Sequence, residues 1–240
     1  MIKNIVVLTG AGISAESGIP VFRSETGLWE QERVEDVATY DGFLRNKNKV
    51  HGFYNKMRLS LSEKQANAAH LALSKLQREW KQGTVTLVTQ NIDNLHEKAE
   101  SQNIIHMHGE LMSLRCERCD YAAYFDGESS VDSVCPSCGH KGCMRPDIVW
   151  FGETPYQMAL IEERLSSCNL FIAIGTSGVV YPAAGFCRFA KAVGATCVEF
   201  NLAPSAVGSS FDYGLYGKAS ETLPPFVDYL LKTGQLLKAI

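Results

Sequence analysis

The sequence predicts an α/β protein, a Rossmann-like doubly wound parallel sheet with a smaller lobe attached. Three observations predict it: short apolar runs alternate with helical patterns, the first run feeds a glycine-rich turn, and two C-x-x-C pairs interrupt the alternation. The 240 residues suit a single domain with insertions.

Strands are predicted at NIVVLTG (4–10), TVTLVTQ (84–90), NIIHMH (103–108), NLFIAIGT (169–176) and TCVEFNL (196–202). Ala69, Ala72, Leu76 and Trp80 recur near the helical period, as do Met158, Ile161, Leu165 and Cys168. Thr154 as cap, Pro155 in the first turn and Gln157 as capping-box partner predict where the second of these helices begins. Gly194 and Gly234 stand where helices should stop. From Pro20 to Ala66 only loop and short helical stretches are expected, and Ser113 to Asp147 is turn-rich and cysteine-bearing. These two excursions define the expected small lobe, helical over 38–66 and zinc-binding over 113–147. The sheet lobe takes 1–37, 67–112 and 148–240 of the single domain 1–240.

Hydrophobic residues make up 45% and charged residues 20%, ordinary values for a globular enzyme, and the net charge of −3 gives no basic stripe for nucleic acid. No run of about 18 apolar residues is present to span a membrane. The opening MIKNIVVLTG lacks the cleavage site of a secretory signal, so the chain is expected in the cytoplasm, and the lack of long tails fits a compact monomer.

Gly10-Ala11-Gly12-Ile13-Ser14-Ala15 fits G-x-G-x-x-A after a strand, the pattern in which backbone approaches a dinucleotide phosphate. A hydride-transferring enzyme of this type needs an acid about 20 residues on, at the end of a second strand. FRSETGLWEQERVED has acids but no strand to aim them, which counts against hydride transfer. Cys116, Cys119, Cys135 and Cys138 form two knuckles at zinc-ribbon spacing, and four thiolates close a tetrahedral shell with no position left for catalysis. Cys143, Cys168, Cys187 and Cys197 are expected as scattered, buried free thiols. Gln90, Asn91 and Asp93, at a strand's carboxyl end, suit either ribose and carboxamide binding or a helix cap. His106 and His108 of HMHGE are either core histidines or, for His108, a general base.

Together these residues resemble the sirtuins, NAD-dependent protein-lysine deacylases, and most of all the bacterial branch related to desuccinylases. The resemblance is carried, in order, by GAGISAESGIPVFR (10–23), TQNID (89–93), HMHGE (106–110), the paired C-x-x-C, VWFGE (149–153), GTS (175–177) and NL (201–202). It implies that NAD is a consumed co-substrate, that one zinc is structural and that acylated lysines of proteins are the partners. It further implies a catalytic role for His108 as base, with Asn91 and Asp93. Gly10, Ala11, Gly12, Ala15, Phe22 and Arg23 would line the dinucleotide, with Gln90, Asn91 and Asp93 around the nicotinamide ribose. Gly175, Thr176, Ser177, Asn201, Leu202 and Ala219 would hold the adenosine side. Val149, Phe151 and Gly152 of VWFGE, and Val179 and Tyr181 of GVVY, would pair with the substrate backbone. ADP-ribosyl transfer and silent acyl-lysine binding are the alternatives the resemblance leaves.

Acyl selectivity is where the sequence departs from that branch. Tyr54 matches a pocket tyrosine and Ala38 a pocket-widening alanine, but Met57 stands where the branch has an arginine, and Arg58 follows one place later. On a helix that step turns the side chain by about 100°. Weak succinyl binding is expected, with acetyl or longer apolar acyl groups favoured.

Overall fold

In β1 (Ile5–Thr9) the side chains of Ile5 and Val7 join one apolar cluster and those of Val6 and Leu8 another, so the strand needs cover on both faces. The protein is seen here as a computed structural model that describes residues 2–21 and 32–236. Its further strands are β2 (Val85–Thr89), β3 (Ile105–His106), β4 (Gly109–Cys116), β5 (Ala122–Tyr124), β6 (Met144–Ile148), β7 (Leu170–Ile174), β8 (Thr196–Asn201) and β9 (Tyr213–Tyr216). The helices are α1 (Ala11–Ala15), α2 (Val34–Val37), α3 (Tyr40–Arg45), α4 (Lys47–Leu61), α5 (Ala68–Glu79), α6 (Leu95–Lys98), α7 (Met158–Ser166), α8 (Phe186–Ala192) and α9 (Ala219–Thr233).

The large sheet runs β3-β2-β1-β7-β8-β9 with every pairing parallel. Helices α5 and α9 cover one face through Leu73, Leu76, Leu223 and Phe226. Helices α7 and α8 cover the other through Ile161, Leu165, Phe186 and Ala190. The order reverses between β1 and β7, and ligands of such sheets bind in the crevice above that reversal.

A second, antiparallel sheet of order β5-β4-β6 carries the cysteine knuckles at one end. Against it pack α2, α3 and α4 through Val37, Phe43, Tyr54, Leu111, Ile148 and Trp150. No helix among the described residues is long and apolar enough to cross a membrane.

Three expectations need correction. Helix α7 starts at Met158 without the Thr154 capping box, and Gln157 instead sits in the left-handed region at φ 55. The cause is upstream: the Tyr156 amide is tied to the Met107 carbonyl and its hydroxyl to Asp147, so the chain cannot enter the helix until it has turned off β3. The insertion expected to hold short helical stretches contains α4, fifteen residues long. The edge strand β9 adds an element beyond those the sequence signalled, while Gly234 does cap a helix, the fifteen-residue α9.

Candidate active site

Three glycines bring the ends of β1 and β7 into contact. The Gly10 amide donates to the Ile174 carbonyl and the Gly12 amide to the Gly175 carbonyl, each at 2.9 Å. A Cβ on Gly12 would lie 2.6 Å from the Gly175 Cα, and one on Gly10 2.8 Å from the Gly175 oxygen. Gly175 itself has φ +63, the left-handed region glycine adopts freely. Ala11, Gly12 and Ala15 are half-buried on this turn. Phe22 and Arg23 lie outside the described residues.

The neighbouring loops are tied to the same point. Gly175 donates to Phe200, the Asn201 side-chain amide donates to the Thr176 carbonyl at 2.7 Å, and the Ala206 amide donates to Ser177. The Leu202 amide returns to Asn201 Oδ1, leaving the leucine side chain 72% exposed. Ala219 opens α9, whose next residue, Ser220, is held through amide and hydroxyl by the Glu16 carboxylate after α1.

Beside the glycine turn lies a buried polar chain. Asn91 Nδ2 donates to the Gly10 carbonyl and to Ser14 Oγ, both at 3.1 Å. Ser14 donates to Asp93 Oδ2 at 2.9 Å, while Asp93 Oδ1 accepts from the Leu95 amide at the start of α6. One carboxylate, just before the Asn94 N-cap of α6, therefore serves both the helix start and the polar chain, one oxygen to each. Burial raises the Asp93 pKa, and the Ser14 and Leu95 donors only partly oppose it. Behind Ser14, His70 Nε2 sits 3.5 Å from its hydroxyl, and His70 Nδ1 accepts from the Asn67 amide. That fixes the proton on Nε2, aimed at Ser14. Burial brings the His70 pKa down to about 4, so the ring is neutral. Ser14 and His70 were not singled out from the sequence: Ser14 hides inside the glycine motif, and His70 looks like one more residue of an amphipathic helix.

His108 is the free base of the group. Its Nδ1 donates to the Gln90 carbonyl at 3.0 Å, which leaves the lone pair on Nε2. Burial lowers its pKa, so it is neutral and unprotonated at Nε2 near pH 7. The His108 carbonyl accepts from the Val149 amide at 2.9 Å, so the base and the VWFGE segment share a backbone bond. His106 goes elsewhere, bonding Glu97 at 2.6 Å.

On the small-lobe side the Phe151 amide donates to the Ala38 carbonyl at 3.0 Å. The Trp150 indole donates to the fully buried Tyr54 hydroxyl at 2.9 Å, and burial pushes that phenol's pKa up. Arg145, 1% exposed, grips Glu153 through two bonds of 2.7 and 2.9 Å, and Glu153 accepts from the Trp150 amide. Met57 packs half-buried against this cluster. Arg58 is turned away: its guanidinium donates to the carbonyls of Leu111 and Gly127 and to Asn55, over the Phe125 ring. Its Nη2 is buried without a hydrogen-bond partner. Phe151, Val179 and Tyr181 are exposed, and Gly152 turns at φ +91 beside a groove of about 750 Å³.

The four cysteines of the paired knuckles bring their Sγ atoms within 4.8 Å of one another. Zinc–sulfur bonds of about 2.3 Å demand tetrahedral edges of about 3.8 Å. The distances here are 3.8 Å for Cys116–Cys138 and 3.7 Å for Cys119–Cys135, so the donor set fits zinc.

The Sir2 family profile matches residues 10–182. A curated relative from Vibrio parahaemolyticus, named NAD-dependent protein deacylase, is 52% identical over 231 residues, covering 95% of each chain. A solved complex of a Sir2 homolog with NAD superimposes with a TM-score of 0.87 at 36% identity, over 98% of this chain and 91% of the other. A Sir2 protein bound to acetylated peptide gives 0.79 at 29% identity, over 98% and 94%.

Proposed function

The chain belongs to the Sir2 family, and on that premise we propose that it removes acyl groups from lysine side chains of proteins, consuming NAD and releasing nicotinamide and O-acyl-ADP-ribose. The observation that carries the reading is His108: a neutral imidazole whose Nδ1 proton is spent on the Gln90 carbonyl and whose Nε2 faces no partner among the described residues.

NAD supplies the ribose carbon from which nicotinamide departs. The chain's part is placement and proton transfer. The contact of Gly10 and Gly12 with Gly175 brings bare backbone to the crevice, where a side chain would block a phosphate. Asn91 and Asp93, held by Ser14, keep amide and carboxylate at the end of β2 in one geometry, so orientation is fixed before the substrates meet. His108 Nε2 accepts a proton from a ribose hydroxyl while its Nδ1 bond keeps the ring from turning. An amide oxygen attacking this carbon needs positioning more than activation, and Ala38, Val149 and Phe151, joined by backbone bonds to each other or to His108, form the wall that positions it. Cys116, Cys119, Cys135 and Cys138 would close a tetrahedral zinc shell with no open position, so the metal would hold the small lobe together rather than activate a reactant.

For the acyl group we infer a preference for acetyl or apolar chains over succinyl. Met57 offers a thioether where a carboxylate would need a cation, and three Arg58 donors are committed to Leu111, Asn55 and Gly127. The reading also carries a monomer acting in the cytoplasm without nucleic acid. A net charge of −3 supports the absence of nucleic acid, and eight cysteines, none of them in a disulfide, support a reducing compartment.

The test is to incubate the protein with NAD and an acetyl-lysine peptide and to follow peptide, nicotinamide and O-acetyl-ADP-ribose together by mass spectrometry. Equal yields of deacylated peptide and O-acetyl-ADP-ribose are expected. Growth of reduced-nicotinamide absorbance, or ADP-ribose attached to protein with the acyl group retained, would overturn the reading.

A further inference from the structure

Cys143 does not lie among scattered thiols. Its Sγ is 3.4 Å from the Cys116 Sγ, closer than the 3.8 Å between Cys116 and Cys138 within the metal set. The approach is built by the backbone. Cys116 ends β4 opposite Met144 of β6, and the Glu117 amide donates to the Cys143 carbonyl at 2.8 Å, so sheet register delivers the two side chains to the same end. Cys143 is 5% exposed, and its thiol donates to the carbonyl of His140, two residues beyond Cys138.

We propose that Cys143 is a fifth, reserve ligand of the metal centre, able to replace Cys116 but none of the other three. The inference goes beyond the deacylase reading and does not depend on it; it rests only on the cysteine geometry. The exchange balances within the cluster. The Cys143 thiol would turn its proton from the His140 carbonyl to the Cys116 sulfur as that sulfur left a bound metal and the Cys143 thiolate took its place. The metal keeps four thiolates, and the charge of the centre is unchanged. Among the described residues, the Cys116–Cys143 pair is the sulfur–sulfur hydrogen bond that joins the metal set to a thiol outside it, so the substitution centres on that corner of the tetrahedron.

The test uses the full zinc-loaded chain and the variants Cys116→Ser, Cys119→Ser, Cys143→Ser and Cys116→Ser/Cys143→Ser. Zinc retained after dialysis against EDTA is measured by atomic emission, and cobalt-substituted samples report thiolate number through sulfur-to-metal charge-transfer absorption. Cys116→Ser should retain about one zinc per chain and the charge-transfer intensity of four thiolates. Cys119→Ser and the double variant should lose zinc at least about tenfold faster. Zinc loss from Cys116→Ser as fast as from Cys119→Ser overturns the proposal. A second measurement needs no damaged ligand: slow alkylation of the zinc-loaded wild type, mapped by mass spectrometry. Cys116 should be labelled before Cys119, Cys135 and Cys138, and Cys143→Ser should abolish that early labelling. Uniform labelling of the four, or early Cys116 labelling that survives in Cys143→Ser, contradicts it.

Discussion

The two sides of the crevice are made of different material. On the side proposed for the dinucleotide, contact is between backbones: Gly10 and Gly12 lie on Gly175 with no room for a Cβ, and the polar groups behind them are short and buried. On the side proposed for the acyl group, contact runs through long side chains and one backbone amide, in a chain of bonds from Arg145 through Glu153 and Trp150 to Tyr54. Backbone geometry cannot be edited one residue at a time without displacing a strand end, whereas a side-chain pocket can. The chemistry is thus expected to be intolerant of change and the acyl selectivity to be adjustable, and substitutions on the two sides should behave differently.

The largest effect is expected at the base. His108→Ala should lower kcat by about 10²–10⁴-fold with the fold intact, measured by single-turnover deacylation and circular dichroism. Next is the glycine contact. A Cβ at position 12 sits 2.6 Å from the Gly175 Cα, so Gly12→Ala must push β1 and β7 apart. It should cost about 1–3 kcal/mol in denaturant unfolding and weaken NAD binding by calorimetry. On the other side, Arg58→Ala removes a buried guanidinium that satisfies two carbonyls. It should cost about 2–3 kcal/mol of stability while leaving the ratio of acetyl to succinyl turnover within about twofold. A collapse of that ratio would place Arg58 in the pocket and erase the contrast between the two cations, Arg58 present and the one missing at Met57.

A last effect, silent at neutral pH, is on pH dependence. His51 is 2% exposed on α4, and burial brings its pKa from 6.5 down to about 4. In that interval the unfolded chain binds a proton that the folded chain refuses. The stability due to neutral His51 is therefore complete above pH 6.5 and is lost as pH falls toward 4. His51→Gln should flatten the acid limb of the stability curve by about 1.4 kcal/mol per pH unit, read from urea midpoints.

The same contrast explains what was legible in the sequence. The four interior strands β1, β2, β7 and β8 declare themselves because burial on both faces demands continuous apolar runs, as in Leu170–Ile174. The strand β9 is mostly exposed and has no such run. Helix α9 buries Leu223, Phe226, Val227 and Leu230 at helical spacing, but Pro224 and Pro225 inside it mask the propensity. In the site, the glycine turn, His108 and the paired knuckles are local patterns and were legible. The placement of Ser14 against His70, of Cys143 against Cys116, and the turning away of Arg58 depend on residues 27 to 69 positions apart. No local pattern encodes those meetings.

The most direct measurement is the kcat/KM of the wild-type chain with NAD and matched acetyl-lysine and succinyl-lysine peptides, following O-acyl-ADP-ribose. Acyl-dependent product with the acetyl peptide favoured is the predicted result. No product from either peptide, or a succinyl preference of about tenfold or more, would contradict it.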